Sequence, residues 1–169
     1  MEELLASLRH EPYEDAHGLI LIDTCFFIDA AERHKLSELL DARVAVTSFN
    51  ARELVHVAHR LHADVKDEIR HFLKKHHELL VLDVPVVPGD VAAERAFVAS
   101  IEPELLKKIP DASDAVLLAA AFATKSDVLT KDKHHLFTVT LENYVQRYGV
   151  HVWKEWKDAA KPKVWYCLN

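Results

Sequence analysis

The sequence feature that most restricts the fold is an unbroken apolar run over residues 115–122. Pro110 and Asp111 precede this run, and both residue types favour the beginning of a helix. A helix that is apolar on all sides has to be covered on all sides, so residues 112–124 are predicted to form a buried helix. Asp111 and Asp114 fall three residues apart in its first turn, on one face at the positive end of the helix dipole.

This pair of carboxylates allows two interpretations. Asp111 can cap the helix while Asp114 completes a pair that resembles a capping box, which is a common arrangement. Alternatively, the two side chains belong to a functional site. The first turn of one helix does not decide between these interpretations, and the rest of the chain has to.

Short apolar runs alternate with amphipathic segments along the remaining sequence. Runs without polar alternation indicate strands that are buried on both faces of a sheet. The order of segments therefore predicts an α/β fold, a three-layer α/β/α sandwich with a central, mostly parallel sheet. Strands are expected at residues 19–22, 44–47, 79–82, 127–130 and 150–153, and helices at residues 1–10, 25–34, 50–62, 64–77, 90–101 and 141–148.

Composition excludes several classes of protein. The net charge of −6 argues against broad electrostatic binding of nucleic acid, and three glycines leave no Gly-rich phosphate-binding loop. No apolar run is long enough to span a membrane, and the N-terminal segment lacks the pattern of a signal peptide. A chain of 169 residues is expected to form one domain, or one domain with short extensions. Cys25 and Cys167 form no disulfide framework, so we expect a protein of the cytoplasm.

Four acidic residues are predicted to meet at one edge of the sheet. Asp23 ends the first strand, Glu53 lies in the helix after the second strand, Asp114 begins the buried helix, and Asp132 follows the strand at 127–130. Carboxyl ends of parallel strands share one edge. Carboxylates in one pocket repel each other unless cations lie between them, and oxygen ligands suit Mg²⁺ or Mn²⁺. Such a site favours metal-assisted hydrolysis of phosphodiester bonds, the chemistry of a nuclease.

Four segments of the chain resemble the signature blocks of the PIN-domain ribonuclease family. These blocks are an acid plus Thr or Ser after the first strand, a Glu in the next long helix, an Asp-Ala-hydrophobic-Ala-Ala helix, and a Thr-x-Asp turn. The resemblance extends in order over residues 19–153. The matching segments are residues 20–28, 46–54, 113–121 and 128–133.

The resemblance implies a Mg²⁺- or Mn²⁺-dependent endoribonuclease, often a toxin of the virulence-associated protein C (VapC) type that is paired with an antitoxin. By matched position, Asp23, Glu53, Asp114 and Asp132 would be its catalytic and metal-binding acids. Family analogy further implies a homodimer, and the charged helices over residues 50–77 are the expected antitoxin side. The supporting residues would be Thr24 and Thr130, which orient ligand waters, and Asp111, which acts mainly as a cap.

The resemblance also divides the chain. Residues 1–18 are expected to be a helical extension, residues 19–153 the PIN-like nuclease domain, and residues 154–169 a tail that packs on the domain. Trp156, Trp165 and Tyr166 are the candidate anchors of this tail. These two extensions make the chain longer than a compact VapC-type toxin.

Several basic residues are candidates for contact with RNA. Lys131 and Lys133 bracket Asp132 and are the better candidates for phosphate contact, and Arg52 is a further one. The remaining lysines and arginines on the helices over residues 50–77 are interpreted as solvated faces.

Histidine and cysteine have simpler explanations than catalysis. His56, His59 and His62 lie on one helix without cysteine partners at zinc spacing, so a solvated face is favoured over a zinc site. His134 and His135 follow Asp132, where they could contact RNA or a metal-bound water. Cys25 has apolar neighbours and no local base, which favours a small buried side chain over a nucleophile.

Three alternative functions remain open at this point. A phosphatase of the haloacid dehalogenase type also has an Asp after its first strand, but it needs a second Asp where this chain has Cys25. A receiver-like phosphoacceptor has no use for Glu53. A PIN fold that serves as an RNA-binding or scaffold subunit without catalysis is the remaining alternative, and such degenerate versions usually lose acids that are all present here.

Overall fold

The computed structural model describes residues 1–40, 43–132 and 139–161. Within these residues six strands form one sheet in the order β1-β4-β3-β2-β5-β6, and every pairing is parallel. The predicted α/β fold with a parallel sheet is confirmed. The strands are β1 (Arg9–Pro12), β2 (Ile20–Ile22), β3 (Val44–Thr47), β4 (Leu80–Asp83), β5 (Asp127–Leu129) and β6 (Val152–Trp153).

Helices cover both faces of this sheet. The α-helices of the described residues are α1 (Glu2–Ala6), α2 (Thr24–Glu32), α3 (Ser48–Val57), α4 (Ala63–Lys75), α5 (Val91–Ile101), α6 (Leu105–Lys108), α7 (Ala112–Thr124), α8 (Val139–Gln146) and α9 (Trp156–Ala159). Short 3-10 turns occupy Tyr13–Asp15, Leu36–Leu39 and Ala58–Arg60.

Two separate cores make the predicted three layers. Successive side chains of a strand point to opposite faces of a sheet. Leu21 and Val128 accordingly face one core, which they share with α5, α6, α7 and α8. Ile22 and Leu129 face the other core, with α1, α2, α4 and α9. The helix α3 lies at the boundary and contributes Phe49 to the first core, and Ala51 and Leu54 to the second.

The predicted buried helix is present as α7. All residues from 115 to 122 are buried, because the sheet lies on one side of α7 and α5 packs on another. The Asp111 side chain caps α7 by accepting a hydrogen bond from the Ser113 amide at 3.0 Å. Burial of each large apolar side chain in such a helix contributes about 1.5–3 kcal/mol to stability. The rigid α7 fixes the position of Asp114 in its first turn.

The N-terminal segment differs from the prediction. The helix expected over residues 1–10 ends at Ala6, and Arg9–Pro12 pair in parallel with β4 as an edge strand. These four residues lack apolar alternation, so the sequence carries no strand signal. Backbone pairing and a 2.9 Å contact between His10 Nδ1 and Asp83 Oδ1 hold the strand instead. A proline at the end of an edge strand is tolerated because it does not interrupt a central ladder.

The C-terminal segment after β6 packs on the second core through α9. Ala159 is buried and Trp156 is partly buried there. Trp165, Tyr166 and Cys167 lie outside the described residues, and the division at residues 18 and 153 stays a prediction. Among the helices of the described residues, none combines the length and the apolar character needed to cross a bilayer.

Candidate active site

An open cleft of about 850 Å³ lies at the carboxyl ends of β2 and β3, beside the first turn of α7. The four predicted acids all line this cleft: Asp23, Glu53, Asp114 and Asp132. They come from four different places in the fold, namely the residue after β2, the helix α3, the first turn of α7, and the segment after β5. The structure therefore brings together the carboxylates that the parallel-sheet argument predicted to meet.

The Asp23 side chain accepts hydrogen bonds from neighbouring side chains and does not cap its own helix. It occupies the N-cap position of α2, but its side chain makes no capping hydrogen bond. Its Oδ2 atom accepts hydrogen bonds from Thr130 Oγ1 at 2.6 Å and from Cys25 Sγ at 2.9 Å. Its Oδ1 atom lies 3.4 Å from Asn50 Nδ2. Asp23 therefore does not act as a helix cap, and its carboxylate faces the cleft.

Glu53 lies in the cleft as a partly buried acid with two hydrogen-bond donors. Its Oε2 atom accepts hydrogen bonds from Thr24 Oγ1 at 2.9 Å and from Asn50 Nδ2 at 3.0 Å. Burial raises the pKa of Glu53 to about 7, and the negative charges of Asp23 and Asp114 contribute in the same direction. The two hydrogen bonds oppose this rise because they stabilise the carboxylate. A cation bound in the cleft would favour the charged form of Glu53.

Asp111 and Asp114 have different surroundings although they lie in the same helical turn. Asp111 is exposed, caps α7 and is absent from the lining of the cleft. Asp114 is half-buried and lines the cleft together with Ser113. The sequence prediction of Asp111 as mainly a cap agrees with this geometry. The positive end of the α7 dipole favours negative charge at Asp114.

Thr130 connects the Asp23 carboxylate with the segment that carries Asp132. Thr130 is fully buried, and its hydroxyl donates to Asp23 while accepting a hydrogen bond from the Asp132 amide at 3.0 Å. A buried hydroxyl in this position fixes both partners because neither can exchange it for water. Thr130 thus positions two of the four acids, whereas the resemblance implied that it orients ligand waters.

Cys25 is half-buried, and its thiol faces the polar cleft and not the apolar core. Besides donating to Asp23, its sulfur accepts a hydrogen bond from the Lys131 amide at 3.2 Å. Burial raises the pKa of the thiol to about 12, and the neighbouring Asp23 charge adds to this effect. The prediction of a small buried side chain is therefore wrong in its surroundings, because Cys25 is half-buried and hydrogen-bonded at the cleft. Its raised pKa keeps the thiol protonated at physiological pH.

The described basic candidates for RNA contact lie in different places in the structure. Arg52 is exposed and lines the cleft, where its Nη1 atom lies 3.4 Å from the Val86 carbonyl oxygen. Lys131 lines a neighbouring groove, donates to Glu155 Oε1 at 2.8 Å and lies over the Phe26 ring. The Lys131 side chain is therefore held in this neighbouring groove and does not line the cleft. Lys133 lies outside the described residues, as do His134 and His135.

Two parts of the cleft were missed by the sequence analysis. The loop over residues 84–90 forms one wall through Val87, Pro88 and Gly89, and the Gly89 amide donates to the buried Glu94 carboxylate at 2.8 Å. The sequence predicts a helix that begins at Asn50, but α3 begins at Ser48 with Thr47 as its cap, so the Asn50 side chain is available to the cleft. The signal in the sequence was the three-residue spacing from Asn50 to Glu53, which places both on one face of α3.

The histidines on α3 and the turn after it do not assemble a metal site. His56, His59 and His62 are exposed, and His56 also lines the outer part of the cleft. Across residues 1–40, 43–132 and 139–161, no three acidic, histidine or cysteine side chains lie close enough together to enclose one ion. The exposure of these three histidines is what the prediction of a solvated face requires.

The donor atoms of the cleft fit a hard divalent cation. The available ligands are carboxylate oxygens, with the Thr24 hydroxyl close by. Mg²⁺ keeps several waters and is usually held by one or two carboxylates and substrate phosphates, so it does not require a closed protein cage. An open cleft with separated carboxylates suits this mode of binding, and the residues present therefore fit Mg²⁺ or Mn²⁺.

The fold and the cleft define a class of protein, a parallel α/β domain whose acids converge at the carboxyl edge of the sheet. The model of the PIN domain matches residues 20–138, so the chain belongs to the PIN-domain family. Proteins of this family are typically nucleases. The phosphatase and receiver alternatives lose their support, since both require a different family.

Two solved structures share the fold. A chain of the DNA-bound VapBC from Salmonella typhimurium aligns with a TM-score of 0.53 and 18% identity, over 82% of this chain and 98% of that chain. A chain of VapBC2 from Rickettsia felis, bound to a DNA fragment from its promoter, aligns with a TM-score of 0.52 and 16% identity, over 80% and 99%. No curated protein sequence matches this chain.

Proposed function

We propose that this protein is a Mg²⁺- or Mn²⁺-dependent endoribonuclease that hydrolyses RNA phosphodiester bonds in the cytoplasm. The observation that carries the proposal is the orientation of Asp23. Its carboxylate sits at a helix N-cap position, yet it is turned away from the helix amides into a cleft shared with Glu53, Asp114 and Asp132. Membership of a family of typical nucleases supports the same conclusion.

The side chains of the cleft divide into binding and orienting groups. The carboxylates of Asp23, Glu53, Asp114 and Asp132 would hold one or two divalent ions. Such ions, when bound, activate a water for attack on the phosphate and neutralise the charge that develops there. Thr130 orients Asp23, and Thr24 orients Glu53, through the hydrogen bonds described above. These fixed donors reduce the reorganisation that a reaction at the cleft requires.

Substrate binding would rest on local contacts. A net charge of −6 gives the protein no broad positive surface, so bound cations and single basic side chains have to meet the RNA phosphates. Arg52 is the described basic residue that lines the cleft, and we propose that it contacts a phosphate beside the scissile bond. We retain Lys133 and Lys131 as secondary candidates, and the ion pair of Lys131 with Glu155 makes its contribution the smaller.

We also propose that the protein acts as the toxin of a toxin–antitoxin pair and forms a homodimer. The support is the likeness to chains of two VapBC complexes, together with the family resemblance. A small acidic protein encoded directly upstream would be the candidate antitoxin. Co-expression should yield a stable complex, and the purified antitoxin should inhibit RNA cleavage by this chain. Failure to inhibit would remove the toxin proposal and leave the nuclease intact.

The activity is tested by incubating the protein with labelled single-stranded RNA, structured RNA and single-stranded DNA in Mn²⁺, Mg²⁺ or EDTA. We expect metal-dependent cleavage of RNA by the wild type and loss of at least 100-fold in Glu53→Gln, which keeps the size of the side chain. Equal behaviour of both proteins on every substrate would contradict the proposal. The non-catalytic RNA-binding scaffold would then be the better description.

A further inference from the structure

Asn50 lies between two of the candidate metal ligands. It belongs to the first turn of α3 and is 5% exposed. Its side-chain nitrogen lies 3.4 Å from Asp23 Oδ1, 3.2 Å from Thr24 Oγ1 and 3.0 Å from Glu53 Oε2. One neutral side chain therefore contacts acids from two separate elements, the end of β2 and the face of α3.

The orientation of the Asn50 amide follows from Thr47. The Thr47 hydroxyl is fully buried and accepts a hydrogen bond from the Asn50 backbone amide at 3.0 Å. The same hydroxyl donates its single proton to Asn50 Oδ1 at 2.6 Å. Since Oδ1 is used in this way, the amide nitrogen has to face the cleft. Asn50 thus presents two N–H donors to the acids, and its oxygen is turned away from any cation bound there.

An amide has a specific advantage in this position. Two carboxylates that approach each other without a cation are mutually repulsive, and a donor shared between them lowers that repulsion. A further carboxylate would increase the negative charge, and a hydroxyl has one proton for two acids. The Asn50 side chain can donate to Asp23 Oδ1 and to Glu53 Oε2 at once, because its nitrogen carries two protons.

We propose that Asn50 is a positioning residue that fixes Asp23 and Glu53 relative to each other so that both can bind the same divalent ion. This inference rests on the proposed function, because it assigns Asn50 a role toward the metal of that site. The neutral amide acts through the two carboxylates and makes no bond to the ion. Partners of metal-ligating side chains typically change metal affinity by about 10–100-fold when they are removed.

The test measures Mn²⁺ binding by the full chain. Binding is monitored through the electron paramagnetic resonance signal of unbound Mn²⁺. Asn50→Leu keeps the approximate volume and removes both donors. Ser48→Ala is the matched control, because Ser48 is also buried in the first turn of α3 and its hydroxyl accepts a hydrogen bond from the Val84 amide at 3.0 Å, outside the acids. Thermal unfolding of both variants measures the purely structural cost.

We expect Mn²⁺ affinity to fall by about 10–100-fold in Asn50→Leu and to stay within about twofold of the wild type in Ser48→Ala. If Asn50→Leu does not fold, Asn50→Ala removes the same donors from a folded helix and should show the same loss. Wild-type affinity in the Asn50 variant that folds would overturn the inference while the nuclease proposal stands. Absence of Mn²⁺ binding by the wild type would overturn the proposed function itself, and this inference with it.

Discussion

Thr130 donates a 2.6 Å hydrogen bond to the Asp23 carboxylate across 107 positions of sequence. The same hydroxyl accepts from the Asp132 amide, so one buried threonine joins the acid after β2 to the acid after β5. These two strands are neighbours in the sheet. The parallel sheet thus brings residues that are distant in sequence together in one site.

Replacement of Thr130 by valine should damage both stability and activity. Valine has nearly the same shape but removes the buried hydroxyl that donates to the Asp23 carboxylate and accepts from the Asp132 amide, which costs about 1–3 kcal/mol. The free energy of unfolding, from urea titration, measures this loss. RNA cleavage should fall by at least tenfold because Asp23 and Asp132 lose their common anchor.

A second buried threonine provides the control for this substitution. Thr124, at the end of α7, is fully buried and donates to the Ala120 carbonyl, away from the four acids. Thr124→Val should lose a similar free energy of unfolding and keep its cleavage rate at a temperature where it remains folded. Equal losses of activity in the two variants would contradict the positioning role of Thr130.

The raised pKa of Glu53 predicts a pH dependence of stability in the absence of metal. The folded-state pKa of about 7 lies above the usual value of 4.5, so folding favours the protonated form. The contribution of protonated Glu53 to the free energy of unfolding is complete below about pH 4.5, and it is lost as the pH rises through about 7. With allowance for partial solvent screening, the loss is roughly 2 kcal/mol.

Urea unfolding in EDTA at pH 5 and pH 8 measures this difference. Glu53→Gln cannot titrate at this position and should show a smaller difference between the two pH values than the wild type. Saturating Mn²⁺ should remove the wild-type loss at pH 8, because the ion binds the charged carboxylate. An identical pH dependence in the wild type and Glu53→Gln would show that another group is responsible.

The raised pKa of Cys25 predicts a poorly reactive thiol. Alkylation requires the thiolate, and a pKa of about 12 leaves very little of it at pH 8. In a Cys167→Ser background, Cys25 should react with iodoacetamide on the order of 10³-fold more slowly in the folded protein than in urea. Mass spectrometry of timed samples gives both rates. Equal rates would mean that the thiol is neither buried nor held by Asp23.

Asp127 should be important for stability and unimportant for the metal site. It is buried at the first residue of β5, the end of the strand opposite to the cleft, and accepts hydrogen bonds from the His151 amide at 3.1 Å and Trp153 Nε1 at 3.2 Å. Asp127→Ala leaves these donors without their acceptor and should cost about 1–3 kcal/mol.

The thermal midpoint of the Asp127→Ala variant measures its loss of stability. The tryptophan fluorescence of the variant reports on the surroundings of Trp153 in β6. Mn²⁺ affinity of the folded variant should equal that of the wild type. A weakened Mn²⁺ affinity at a temperature where the variant is fully folded would show that the two ends of β5 are coupled, contrary to this prediction.

The sequence predicted those features that depend on apolar pattern and on topology. The buried helix α7 follows from eight successive apolar residues, and the position of Asp23 follows from a strand that ends in an acid. Because all strands are parallel, the acids after β2 and β5 had to meet with those of α3 and α7 at one edge. No side-chain detail was needed for that step.

Other features depend on contacts that no local pattern encodes. The strand β1 is held by backbone pairing to β4, and its four residues carry no alternation of polarity. The position of Lys131 depends on Glu155, which is distant in sequence and attracts the ammonium group away from the acids. The orientation of the Asn50 amide depends on Thr47, which occupies the cap position and bonds to both the backbone and the side chain of Asn50.

The most direct measurement is RNA cleavage in Mn²⁺ by the pair Asp114→Asn and Asp111→Asn. The two substitutions are chemically identical and lie three residues apart, and Asn at position 111 can still cap α7. We predict at least a 100-fold loss of activity in Asp114→Asn and near-wild-type activity in Asp111→Asn. Equal activity of the two variants, whether retained or lost, would contradict the assignment of the acidic cleft as the active site.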